Sequence, residues 1–287
     1  MAGFFSKMYY GDPRKPDLRP EDMPDNRFEL FFTVLKVRFW KLIQLNLLYS
    51  IFWIPTFILL YVQGVVSYET KEPLSILFFL LLIPCFLIAG PATAGVTYVI
   101  RDWSRDEHAW LFSDFKDAWK ENWKESLLIM LINGLALLIF YVNVVFYRQM
   151  AMEKLGFLVL YYFIMVMGFI YLMMNMFIFP MLVTYKLKVR QIIKNAFIFA
   201  IAELPRNILM LVLSLGLFVL LSYLLLWIPV FIVGLTFPML ISISYSNWVF
   251  DKYLNKHIDD AGEVKPVEDM QAEEEDIQVY EEGKITE

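Results

Sequence analysis

Two histidines, His108 and His257, and one cysteine, Cys85, are the chain's whole supply of imidazole and thiol. That stock excludes an intramolecular disulfide and a Cys-cluster zinc site, and it leaves little for His-based metal or triad chemistry. His108 stands in Arg105-Asp106-Glu107-His108, where flanking carboxylates mimic an acid–base pair. A single imidazole among charges reads first as the polar face of a helix. Met165, Met167, Met173, Met174, Met176 and Met181 share one apolar run. Thioethers bind Cu(I), but with no Cys nearby adaptable core packing is the better reading. The chain carries no nucleophile elbow, P-loop, His-Glu-x-x-His or dinucleotide fingerprint. The expectation is a non-enzyme with no cofactor and no metal, in which any ATP-driven step belongs to a partner subunit.

The remaining chemistry lies in amides and prolines within apolar runs. Gln44, Asn46, Gln63, Asn133, Asn143 and Asn175 are the intramembrane amides. They either make interhelical hydrogen bonds, worth about 0.6–2 kcal/mol each, or, for Asn46, Asn133 and Asn175, line a polar pocket. No Asp, Glu or His relay interrupts these runs, which argues against a proton-driven pump. Prolines recur in a shared setting: Gly90-Pro91-Ala92, Phe179-Pro180-Met181-Leu182 and Phe237-Pro238-Met239-Leu240. Thr97-Tyr98, Thr184-Tyr185 and Ser244-Tyr245 follow them. A proline removes a backbone donor and kinks a helix. Broken helices at matching repeat positions mark binding sites in transporters, but prolines also merely shape packing. The candidate pocket set is therefore Pro91, Gly95, Pro180 and Pro238 with Asn46, Asn133 and Asn175.

These residues need a membrane to position them. Of 287 residues, 59% are hydrophobic and 19% charged, and mean hydropathy is +0.55. A soluble domain is about 45–50% apolar and about 25% charged, so a water-soluble globule and a disordered chain are both excluded. A charge at mid-bilayer costs about 2.5–3.5 kcal/mol on insertion scales, so charge-free runs mark spans. They are Leu42–Tyr68, Pro73–Ile100, Ser126–Tyr147, Leu155–Tyr185 and Asn207–Phe250. A helix needs about 20 residues to cross. The last run crosses twice, with Trp227-Ile228-Pro229 as the turn, and the total is six spans.

Twenty-two Lys and Arg fall on one side of this topology and three on the other. The positive-inside rule then places both termini in the cytoplasm. The first apolar stretch, beginning at residue 42, reads as a span rather than a cleaved leader. Residues 1–26 read as an extended Pro-rich cytoplasmic lead, 27–255 as the membrane domain and 256–287 as a disordered acidic tail. From Asp259 to Glu287 there are twelve acidic residues against Lys265 and Lys284. That tail would repel phosphates, so nucleic acid is not an expected partner. It either solvates or docks on a basic partner surface.

Each pair of spans is preceded by a segment of helical periodicity. The clearest is Trp103–Lys124, whose Trp103, Trp110, Phe115, Trp119 and Trp123 fit an interfacial amphipathic helix. At an offset of 80, Phe32–Leu48 lies against Phe112–Leu128 without a gap. Phe32/Phe112, Lys36/Lys116, Leu47/Leu127 and Leu48/Leu128 are identical. A fainter third copy sets Lys194-Asn195-Ala196-Phe197 against Lys116-Asp117-Ala118-Trp119. The predicted fold is an all-α polytopic membrane protein. Its six transmembrane helices form three weak repeats, each of a cytoplasmic amphipathic helix, a span and a proline-broken span.

The segment Arg38-Phe39-Trp40-Lys41-Leu42-Ile43-Gln44-Leu45-Asn46-Leu47-Leu48-Tyr49 resembles the first span of the YesL-like membrane proteins. Gly90-Pro91-Ala92-Thr93-Ala94-Gly95-Val96-Thr97-Tyr98 resembles that family's most recognisable motif. Asp114-Phe115, Asn122-Trp123-Lys124 and the opening Gly3-Phe4-Phe5 also fit, and the likeness runs over about residues 27–255. It implies a multi-pass protein of the bacterial plasma membrane with an accessory role in sugar import or sensing. The implied partners are the lipid bilayer and sugar-permease subunits or a sensor kinase. The resemblance supplies no catalytic or binding residues and no oligomeric state. The alternative is an autonomous small-solute transporter or channel with its site at the proline-bearing helices.

Overall fold

The computed structural model describes residues 27–71, 74–151, 154–224 and 230–255. Among these every regular element is a helix. The lead, the acidic tail, His257 and the turn expected at Trp227-Ile228-Pro229 lie outside the described residues.

Six helices are long and apolar enough to cross a membrane. In chain order the elements are α1 (Arg27–Val37), the span α2 (Phe39–Thr70) and the span α3 (Ile76–Trp103). Next come the short α4 (Leu111–Glu121) and the spans α5 (Trp123–Met150) and α6 (Leu155–Thr184). Short α7 (Val189–Ala202) leads into the fifth span, α8 (Leu204–Leu224). A π-helical turn (Val230–Gly234) opens the sixth span, which continues as α9 (Thr236–Phe250) and ends in a second π turn (Asp251–Asn255). The charge-free runs therefore predict the spans to within a few residues, because the cost of a charge in hydrocarbon is steep.

The short helices α1, α4 and α7 fall at one end of the bundle, where the Lys and Arg concentrate. This basic end holds most of the core. One cluster joins α6 (Met173, Phe177, Met181) to α7 (Ile192, Phe199), α8 (Leu211) and α9 (Tyr245, Phe250). A second joins α2 (Leu42, Leu45, Tyr49) to α3 (Val96, Ile100, Trp103), α4 (Phe115) and α9 (Leu240, Ile243). Helix α9 belongs to both and stitches them together. At the opposite end only a small cluster, Phe78, Phe79 and Leu82, closes against Leu59, Leu137, Leu138 and Tyr141.

The repeat is visible in the backbone. Each short helix passes into its span through a single joint residue: Arg38 (φ −103°, ψ 13°), Asn122 (φ −104°, ψ 15°) and Glu203 (φ −114°, ψ 37°). The hydrogen-bond ladder runs through all three. Arg38 N–H bonds Val34 O and its own carbonyl accepts from Leu42. Asn122 does the same with Ala118 and Ser126, and Glu203 with Phe199 and Asn207. Each unit is thus one helix bent at a single residue. The joints do not share the sequence register: Asn122 lies one helical turn beyond the position that an offset of 80 from Arg38 requires.

Candidate functional site

The expected interfacial helix over Trp103–Lys124 divides into three elements. Trp103 ends span α3, is 0% exposed and donates its indole N–H to Ala109 O at 3.2 Å. The Arg38 guanidinium lies 5.5 Å from its ring centre. Trp103 is therefore a core residue and not part of an interfacial face. Trp110 is the N-cap of α4 and 68% exposed, and Asp114 Oδ2 accepts its backbone N–H at 2.8 Å. Phe115 is buried, Trp119 half-buried, and Trp123 begins α5 with much of its ring exposed. What remains of it as one amphipathic helix is Leu111–Glu121, with Leu111, Phe115 and Ala118 inward.

The Gly90-Pro91-Ala92-Thr93-Ala94-Gly95 run is the seat for that helix. All six residues are buried. A Cβ on Gly95 would lie 2.7 Å from Phe115 O and 2.8 Å from Phe115 Cδ2, and one on Gly90 would lie 3.0 Å from Ser126 O. Small residues here let α4 and the start of α5 reach the backbone of α3. Helix α3 continues through Pro84 and Pro91, and α6 through Pro180, whose carbonyl accepts from Thr184 Oγ1 at 2.7 Å. Pro238 differs. It sits in the first turn of α9, where a missing N–H costs nothing, and the helix break precedes it at the π turn.

The three amides do not share a pocket. Asn46, 0% exposed on α2, closes the break in the sixth span. Its Oδ1 accepts the N–H of Leu235 at 2.9 Å, the N–H of Thr236 at 2.8 Å and Thr236 Oγ1 at 3.2 Å, and its Nδ2 donates to Ser50 Oγ at 3.3 Å. A side chain from the first span thus caps the N-terminus of α9, satisfying donors that a broken helix leaves open in hydrocarbon. Asn133 and Asn175 meet instead at Tyr171. The tyrosine hydroxyl donates to Asn133 Oδ1 at 2.6 Å, and Asn175 Nδ2 donates to Tyr171 O at 2.9 Å. A void of about 20 Å³ beside them is lined by Ile129, Ile132, Asn133, Tyr171, Ile178 and Ile193. It holds about one water at most.

Polar residues that sequence reasoning passed over carry the rest of the basic end. Glu203, the third joint, is buried and pairs with Arg206 at 2.6 Å, with Tyr253 Oη at 2.6 Å and with Lys252. Removal from water pushes its carboxyl up, but the hydrogen bonds from Lys252, Tyr253 and Arg206 outweigh this and hold it at about 2. Asn207 donates to Phe199 O at 2.8 Å and Ala200 O at 2.9 Å, and accepts from Tyr245 Oη at 2.8 Å. It thereby satisfies the last carbonyls of α7. Arg101 binds Asp102 Oδ1 through Nε at 2.8 Å and Val183 O through Nη1 at 2.6 Å, which ties the end of α3 to the end of α6. Asn247 on α9 donates to Ser104 Oγ at 2.6 Å. The signal for Glu203 was present: one acid stands in Ala196-Phe197-Ile198-Phe199-Ala200-Ile201-Ala202-Glu203-Leu204. Eight buried side-chain polar atoms have no hydrogen-bond partner among the described residues, and Thr97 Oγ1 on α3 with Ser244 Oγ and Asn247 Oδ1 on α9 are three of them.

The other reactive side chains are scattered. His108 is exposed, its ring 4.8 Å from that of Trp110. Cys85 is half-buried, with Sγ 3.3 Å from Leu81 O. Met173, Met174, Met176 and Met181 pack in the core, while Met165 and Met167 face outward.

The family model described as a protein of unknown function, DUF624, matches residues 73–144. That stretch is α3, α4 and most of α5, the unit in which the small-residue run seats α4. The match is narrower than the 27–255 likeness read from the motifs. No curated protein and no solved structure matches the chain.

Proposed function

We propose that this multi-pass membrane protein is a non-enzymatic accessory component of a carbohydrate-uptake or sugar-sensing complex. It would sit in the bacterial plasma membrane with its basic end in the cytoplasm, as the Lys and Arg bias favours. The sugar connection rests on the YesL-like resemblance. The accessory role rests on the bundle itself. The observation that carries it is the use of Asn46, Asn133 and Asn175: Asn46 closes the break in the sixth span, Asn133 bonds Tyr171 on the neighbouring helix, and Asn175 bonds the Tyr171 carbonyl on its own helix. A bundle that commits its intramembrane amides to internal closure is built as a scaffold. Its outward faces and its three short helices are then the surfaces for partner subunits.

Cross-linking in native membranes, followed by mild-detergent pull-down and mass spectrometry, tests this reading. Permease subunits or a sensor kinase cross-linked to residues 104–124 support it. Recovery of the protein alone, with sugar uptake and permease assembly unchanged on deletion, overturns it. Autonomous transport is the second reading, favoured by the unpartnered Thr97, Ser244 and Asn247 atoms. Flux of a solute into vesicles holding the purified protein would establish it.

A further inference from the structure

A cleft of about 310 Å³ opens on the side of the bundle between α8 and the broken sixth span. Leu215 and Phe218 form one wall, Gly234, Leu235 and Met239 the other, and Tyr49, Ser214, Pro238 and Ser242 the floor. Ser214 lies ten residues into α8, Tyr49 ten into α2, and Pro238 twelve from the end of α9. At about 1.5 Å per residue these positions sit about 15–18 Å from the helix ends and about 10–18 Å inside the charge-free runs, within a hydrocarbon core of about 30 Å. The cleft therefore faces lipid tails and not headgroups.

Its polar atoms are already used. Ser214 Oγ donates to Pro238 O at 2.9 Å, Ser242 Oγ reaches Ser214 Oγ at 3.0 Å, and Tyr49 Oη is bonded to Thr93 Oγ1 at 2.8 Å. A water needs two to four polar partners to settle in a cavity, and this floor has spent its own. The volume lies at the lower end of ligand pockets, about 300–1,000 Å³, and suits a stretch of hydrocarbon chain. The π turn creates the space: it ends at buried Gly234, where no side chain fills the gap before α9 begins.

We infer that this cleft is a binding site for one acyl chain of a membrane phospholipid. The bound chain fills the gap left by the break that Asn46 caps, so the lipid acts as a packing element of the sixth span. The site is independent of the accessory role, since a scaffold and a transporter would both retain it.

Native mass spectrometry of the protein purified in mild detergent tests the inference, with a phosphatidylglycerol carrying a diazirine in its acyl chain as the probe. The wild type should retain one phospholipid, and the photoadducts should concentrate on residues 214–218 and 234–242. Leu215→Trp and Met239→Trp fill the cleft and should lower occupancy at least about tenfold, equivalent to about 1.4 kcal/mol. Val212→Trp, on an exposed stretch of the same helix, controls for folding and should retain the lipid. Equal occupancy in Leu215→Trp and Val212→Trp would overturn the site. So would adducts spread evenly over the lipid-facing helices, or a second copy of the chain or residues 225–229 cross-linked in the cleft in place of lipid.

Discussion

The two ends of the bundle are built from the same apolar alphabet but are held differently. Toward the basic end, α6 is buried almost continuously from Met173 to Leu182, and α5 buries Ser126, Ile129, Met130 and Gly134. Toward the other end, α6 has no buried residue from Leu155 to Leu172, and α2 has none beyond Thr56 among the described residues. Tyr61, Val62, Ile139, Val159 and Phe163 stand outward there. In water such exposure would be a liability. In a bilayer lipid tails are as apolar as leucine, so burying these residues against protein brings little gain. Apolar burial alone therefore does not decide where the helices close. The close approach of small residues and the satisfaction of polar groups do: Gly90 and Gly95 seat backbone and the buried polar network lies at the basic end, whereas Gly168 toward the other end meets only the Phe140 ring.

Substitutions at the two ends should separate accordingly. Gly95→Leu forces a side chain into the Phe115 backbone, which has no room to yield. It should cost about 3 kcal/mol or more, at the upper end of overpacking effects, read as a lowered Tm in detergent. Asn46→Leu leaves two N–H groups at the start of α9 without their acceptor. The expected loss is about 2–4 kcal/mol, with faster hydrogen exchange at Leu235 and Thr236.

Glu203→Gln weakens the third joint by about 1.5–3 kcal/mol. The carboxyl is held at about 2 against an ordinary 4.5. Its contribution is therefore fully present above pH 4.5 and is lost as pH falls toward 2. The wild type should lose stability across that window by an increment that the glutamine variant lacks, as a pH series of thermal melts will show. At the far end, Gly64→Ala meets nothing within 4 Å. Among the described residues Asn143 donates only to Ile139 O on its own helix. Gly64→Ala and Asn143→Leu should each leave stability unchanged or slightly raised, within about 1 kcal/mol. A loss comparable to Gly95→Leu at either position would erase the distinction between the ends.

The spans were legible because a charge in hydrocarbon is so costly that charge-free runs leave few alternatives. The site was legible only in part. Trp103 and Trp110 fit one helical period in the sequence, yet one completes the core and the other stands exposed at the N-cap position of α4. Aromatic residues gather at a membrane interface whichever element carries them. The joints Arg38, Asn122 and Glu203 share a backbone conformation but no side-chain chemistry, so no residue type announces them. Asn46 was recognisable as a costly amide, but its partners lie about 190 positions away, and no local pattern encodes them. Pro238 matches Pro180 in its neighbours but starts a helix instead of interrupting one.

The decisive measurement is thiol labelling of single-cysteine variants in sealed vesicles, on a Cys85→Ala background. Thr97→Cys and Ile243→Cys place thiols within the closed half, and Ser113→Cys places one on the exposed side of α4. With a small water-soluble reagent, a closed scaffold predicts rapid modification at 113 and none at 97 or 243 from either side of the membrane. Modification at 97 or 243 at a rate near that of 113 would reveal a water-filled path through the basic end and contradict the scaffold.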